Sequence, residues 1–229
     1  MFFNMSVSAD YLLAATEVCA VARERGRLDA LVNMSQMTVS QMTATSTAES
    51  HQQRLHWLAE QVLNWSGLPV VHIRPTVFLD TALFTTMAAR SIRENGTIAL
   101  PFGTGRTSPV AVDDVARVVA SVLRDPAPHI GQVYELTGPR SVDMTELAAA
   151  FSRALNRPVS YVDVPLDRWQ AGLSRMGRPP HTEQHVATMA QLHRDNRYDR
   201  TADGVERVTG IPPQSIEAFV AARRDFYLG

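Results

Sequence analysis

No lysine occurs anywhere in the 229 residues; all 22 basic residues are arginine. The omission excludes a Walker phosphate lysine, a Schiff-base lysine and a lysine that tunes a neighbouring tyrosine. Arginine cannot take the acid/base part of any of these, because its guanidinium stays protonated in proteins. Cysteine is nearly missing too. The single Cys19 excludes an internal disulfide and every multi-cysteine metal site, and its place on a helical apolar stripe marks a small core residue rather than a nucleophile. Neither sign of charge dominates: 22 basic against 23 acidic residues leave a net charge of −1, so no field draws the chain to nucleic acid or to an anionic membrane. Long hydrophobic runs are absent. The stretch Leu68 to Ile73 is interrupted by Pro69 and His72 and is far too short to span a bilayer. The opening MFFNMSVSAD carries no basic stretch and no long apolar core, which predicts no signal peptide and a cytoplasmic location. The sequons at Asn4, Asn33, Asn64 and Asn95 then carry no meaning. No G-x-S-x-G occurs, which removes a hydrolase elbow.

What is present reads as an ordinary globular chain, 45% hydrophobic and 20% charged. Phe2 to Met5 resembles the tail of a strand, and a helix follows from about Ala9, with Leu12, Ala15, Cys19 and Ala22 on one stripe and Gly26 as its stop. Leu28 to Met34 predicts a buried strand, Ser35 to Thr47 a polar loop. A helix from about Glu49 to Ser66 carries Leu55, Leu58, Val62 and Leu63 inward, and Pro69 to Arg74 is another strand. Strand, helix, strand, helix, strand implies parallel pairing under helices, with ligands at the strands' carboxyl ends. Three such ends are present: Asn4-Met5-Ser6, Met34-Ser35-Gln36 and Pro75-Thr76-Val77-Phe78. Beyond residue 80 the pattern predicts a helix over 81–94, then two short strands flanking the turn in TIALPFGTGRTSPV. A helix capped by Asp113 follows, with strands near 132–136 and 159–164 and helices filling the rest.

Five phrases in order resemble the NmrA-like group of atypical short-chain dehydrogenases/reductases: LVNMSQM, HQQRLHWLAEQVLNWSGLPVVHIRPTVF, PFGTGRTSPVAVDDVARVVASVLRDP, GQVYELTGPRSVDMTELAAAFSRALNRPVSYVDVP and VTGIPPQSIEAFV. The resemblance implies an α/β fold. Residues 1–80 would form half of a Rossmann-type parallel sheet flanked by helices, and residues 81–229 the remaining sheet edge with a smaller α+β substrate portion. The family's G-x-x-G-x-x-G turn, which lays a pyrophosphate on a helix N-terminus, has no counterpart here. GTGRTS around Gly103 comes late and opens no helix. MFFNMS then falls in the family's fourth strand, and the expectation is a chain lacking about 70 residues of leading βαβ structure.

The resemblance also carries site expectations. Counting back from Glu60 places the family's lysine position at His56 and its tyrosine position at Gln52; neither residue type is kept, and none of the five tyrosines is near this helix in sequence. Ser35 or Thr38 remains to hydrogen-bond a substrate carbonyl, against a plain reading as loop hydroxyls. His56 remains to touch a ribose or relay a proton, against a reading as a half-exposed helix histidine. Asn4, Met5, Ser6, Ser35, Gln36, His56 and Pro75 to Phe78 are the expected cofactor contacts. The cofactor is NADP or NAD, with NADPH favoured. Phe78, Phe102 and parts of 165–195 are expected to line a pocket for a small-molecule substrate. His181 and His185 stand one helical turn apart, with His193 further along, a spacing that can share a metal, but no third ligand is specified and the polar segment predicts a solvated helix face, with no metal. Three functions follow: an oxidoreductase acting on a quinone, azo compound or other small acceptor; a non-catalytic nucleotide-sensing regulator with a protein partner; or an inactive fragment.

Overall fold

A computed structural model describes residues 1–229. Its elements are β1 (Phe2–Phe3), α1 (Tyr11–Arg25), β2 (Leu31–Met34), α2 (His51–Trp65), β3 (Val70–Pro75), α3 (Thr86–Asn95), β4 (Thr97–Leu100), α4 (Val112–Arg124) and β5 (Val133–Leu136), then α5 (Met144–Leu155), β6 (Ser160–Asp163), α6 (Leu166–Arg175), α7 (Pro180–Arg194), α8 (Gly204–Thr209), α9 (Ile216–Ala221) and α10 (Arg224–Leu228). The main sheet has the order β1-β2-β3-β5, and every pairing is parallel, with Phe2 opposite Val32, Val32 opposite Val71 and Ile73 opposite Tyr134. Parallel strands need both faces covered. Tyr11, Ala15, Cys19, Ala59 and Leu63 from α1 and α2 cover one face. Val115, Val118, Val119 and Val122 of α4, with Val205 of α8, cover the other. The α/β fold with helices on both sides of a Rossmann-type parallel sheet is therefore as the alternation implies.

Local chemistry fixes the ends of these elements. Gly26 closes α1 in the left-handed region at φ 62°, where an L side chain is strained. Ser50 and Gln53 form a reciprocal capping box at the start of α2. Arg74 on β3 forms a two-pronged ion pair with buried Glu60 on α2. Beside it, His72 Nδ1 accepts from Asn33 Nδ2 and His72 Nε2 donates to Asn64 Oδ1, both at 3.0 Å.

The second portion is built on a separate apolar core of 23 residues, in which α3, α5, α9 and α10 surround a parallel β4–β6 pair. Several expectations are corrected here. Only Thr97–Leu100 of the two short strands forms; the other limb makes isolated bridges, Thr107 to Val142 and Val110 to Phe78. Asp113 does not cap α4. Ala111 holds the cap position, and the carboxylate of Asp80 accepts the Val112 N–H at 2.8 Å instead. Asp114, fully buried, accepts the Gln214 N–H and pairs with Arg117. The loop after β2 contains a 3₁₀ turn, Met37–Gln41, that buries Met37, Thr38 and Val39. The helix expected from residue 81 starts at Thr86.

Candidate functional site

The carboxyl ends of β1, β2 and β3 open into one cavity of about 440 Å³, within the usual range for small-molecule sites. Asn4, Met5, Ser35, Gln36, His56, Pro75, Thr76, Val77 and Phe78 all line it; Ser6 and Thr38 do not. Ser6 is exposed, and Thr38 is buried behind the wall, accepting from Gln53 Nε2 at 3.1 Å. The opposite wall is apolar: Phe102, Trp169 and Leu173 of α6, and Val186, Met189 and Ala190 of α7. Arg178, in the break between α6 and α7, is the one permanently charged lining residue.

Several polar atoms of lining residues are buried without a partner: Ser35 Oγ, Gln52 Nε2, His56 Nδ1, Thr76 Oγ1 and Thr81 Oγ1. Structures seldom leave such groups unpaired. His56 packs its ring on Tyr11, with centroids 4.1 Å apart. Burial, with a smaller contribution from nearby His185, lowers its pKa to about 3, so the imidazole is neutral at physiological pH. Tyr11 is fully buried and donates its hydroxyl to the Met34 carbonyl at 2.9 Å; burial and the Glu60 charge push its pKa up.

The histidines of α7 overturn the solvated-face expectation, because that helix lies against α2. His181 Nε2 meets Gln52 Oε1 at 2.8 Å. Ser50 Oγ accepts from the Gln53 N–H and also shares a hydrogen bond of 2.8 Å with His185 Nδ1. His193 is sandwiched between the rings of Phe102 and Tyr198, each 4.0 Å away, and donates Nδ1–H to the Met189 carbonyl. Burial lowers the pKa of both His185 and His193 to about 4. No cluster of metal-binding side chains forms. Tyr198 also lines the cavity, with its hydroxyl 3.4 Å from Gln53 Nε2. The sequence carried no local sign that Tyr11 and Tyr198 flank α2, since they lie far from it along the chain. The S-x-x-Q capping box was the available sign that Gln53 turns inward.

The NmrA-like family's sequence profile matches residues 39–221, well over half the chain. The chain belongs to the NmrA-like family. Among characterised relatives, the NAD(P)H azoreductase of Xenophilus azovorans is 32% identical over 168 residues, which cover 72% of this chain and 57% of that protein. Quinone oxidoreductase 2 of Escherichia coli is 28% identical over 124 residues, 54% of this chain and 42% of that protein. The chain thus spans little more than half the length of the azoreductase. Three solved structures share the fold at low identity. The NADPH-dependent quinone oxidoreductase of E. coli complexed with NADPH superposes with TM-score 0.79 at 20% identity, over 96% of this chain and 74% of that one. Citrobacter sp. triphenylmethane reductase complexed with NADP(H) gives 0.78 at 17%, over 97% and 75%. NmrA, a negative transcriptional regulator, in complex with NADP gives 0.75 at 18%, over 96% and 72%. No helix of this family member is long and apolar enough to cross a membrane.

Proposed function

We propose that this NmrA-like chain forms the acceptor side of an NAD(P)-dependent oxidoreductase site, with NADPH favoured, and that its cavity takes a small apolar acceptor such as a quinone or azo compound. The observation that carries the reading is the convergence of three parallel strand ends on one apolar cavity studded with unpartnered polar atoms. Strand ends of a parallel sheet are where dinucleotides and their substrates meet. The names of the azoreductase and quinone reductase relatives support the same class.

The residues present fit the nicotinamide end of the cofactor. Ser35 Oγ, Thr76 Oγ1 and His56 Nδ1 offer hydrogen bonds to a carboxamide or ribose, and Phe78 offers an apolar face. No glycine lines the cavity, so these residues do not build a pyrophosphate cradle. Bound nicotinamide would supply the hydride. The chain's own part is to orient the acceptor, exclude water with Trp169, Leu173 and Met189, and hold hydrogen bonds. It offers no strong acid, since His56 and His185 are neutral near pH 7 and the phenol of Tyr198 is pushed upward by burial. That favours acceptors whose reduced anion is stabilised by delocalisation over simple ketones.

The same lack of an acid favours a second reading, a nucleotide-sensing protein that binds without turnover. NADPH titrated by fluorescence, followed by its oxidation with 1,4-naphthoquinone, separates them. Saturable binding with turnover supports the oxidoreductase, and binding with no turnover across quinones and azo compounds supports the sensor. Failure of NADPH to bind at millimolar concentration refutes both.

A further inference from the structure

Gln52 stands where the NmrA-like chain's resemblance places a tyrosine, and its carboxamide is held in one orientation. The Ser8 backbone N–H, which can only donate, reaches Gln52 Oε1 at 3.1 Å, and His181 Nε2 meets the same oxygen at 2.8 Å. Two donors on one atom identify it as the carbonyl oxygen. The amide nitrogen is therefore turned away from both, and it is buried with no partner. The residue is 1% exposed and lines the cavity. A buried donor left unpaired destabilises the fold until something accepts from it.

We propose that Gln52 Nε2 is the hydrogen-bond donor that positions and polarises the carbonyl oxygen of a quinone-like acceptor. The assignment rests on the reading of the cavity given above. Ser35 Oγ, 3% exposed and equally unpartnered in the same lining, is available for a second hydrogen bond to the ligand. A carboxamide donates a hydrogen bond but keeps its proton, so it replaces a tyrosine as a polariser and not as an acid. His181 and Ser8 act through Gln52, as positioning groups, by fixing the side of the amide that faces the cavity. The site would therefore discriminate between ligands of equal shape by whether they carry an acceptor atom.

The test uses the full chain and two probes of similar outline, 1,4-naphthoquinone and 1,4-dimethylnaphthalene, with dissociation constants from calorimetry. Wild type should bind the quinone roughly tenfold more tightly, the equivalent of one good hydrogen bond. Gln52→Glu keeps the oxygen that Ser8 and His181 need and replaces the donor with a second acceptor; it should lose that tenfold and leave dimethylnaphthalene binding unchanged. Equal weakening of both probes would make the amide merely structural and overturn the proposal. A second measurement needs no variant: the infrared carbonyl stretch of naphthoquinone bound to wild type should move to lower frequency, and an unshifted band overturns the assignment. If dimethylnaphthalene binds normally while the quinone shows neither preference nor shift, only the role of Gln52 falls. If neither probe binds wild type, the reading of the cavity falls with it.

Discussion

Acidification from pH 7.5 to 5.0 is expected to destabilise the chain by roughly 4–6 kcal/mol, and the amount follows from three histidines. His56, His185 and His193 have pKa values lowered to about 3, 4 and 4, mainly because burial disfavours the imidazolium. In the unfolded chain they titrate near the ordinary value of about 6.5. The folded state therefore binds fewer protons than the unfolded state between those limits, so stability is fully present above pH 6.5 and is lost as pH falls toward 4. At pH 5.0 each unfolded imidazole gains about 2 kcal/mol from protonation that its folded counterpart does not, by the same linkage relation. Most carboxylates stay ionised at that pH, and Glu217 is held below its usual range by Arg153 and Arg140 despite partial burial. A loss of this size approaches the whole stability of many domains. Urea denaturation followed by circular dichroism at the two pH values measures it, and His193→Gln isolates one share. The variant should be less stable at pH 7.5 but lose about 2 kcal/mol less on acidification. Equal stability at both pH values within about 1 kcal/mol, or an unchanged drop in the variant, refutes the argument.

Two other perturbations have defined outcomes. A methyl group on Gly105 would sit 1.9 Å from the His193 carbonyl oxygen, a backbone atom that cannot swing aside. Gly105→Ala should therefore destabilise by about 3 kcal/mol and lower Tm by roughly 10 °C, read by scanning calorimetry. Arg74→Met leaves Glu60, 1% exposed, charged and unpaired inside the protein; a loss of about 3–5 kcal/mol is expected in urea, with Arg74→Lys recovering only part because it cannot pair in two-pronged fashion.

The sheet was legible because its signal is local. Val32, Val71 and Ile73 sit in apolar runs of strand length, Gly26 marks a helix end, and Pro75 is the last residue of a strand that ends at the site. The cavity floor followed from the same logic, since strand ends of a parallel sheet share one edge. What the sequence hid was set by contacts across long separations. Asp113 and Asp114 look equivalent as helix caps, but the donor they would take is met by Asp80, and Asp114 is turned into the protein toward Gln214. The polar periodicity of α7 suggested solvent. His181 and His185 instead face α2, paired with Gln52 and Ser50 more than 120 residues away, and no single-helix pattern distinguishes a wet polar face from one paired with another polar face. Gln52 looked like a loss of chemistry when judged by residue type, and the orientation of its amide is set by Ser8 and His181, which no local pattern reveals.

The same polar seam joins the two cores. The sheet portion and the portion around β4 and β6 have separate apolar interiors, and the cavity lies between the strand ends of one and the helices α6 and α7 beside the other. Across that gap the links are polar: His181 to Gln52, His185 to Ser50, Arg197 to Glu49 and Arg200 to Glu135. Apolar surfaces slide, whereas hydrogen bonds and ion pairs fix direction and register. A seam made of them can hold α7 at one setting over the strand ends while leaving room for a ligand beneath. His185 sits in that seam with its pKa lowered to about 4 by burial, so acid acts on the link between the cavity's two walls as well as on His193 beside the apolar interior.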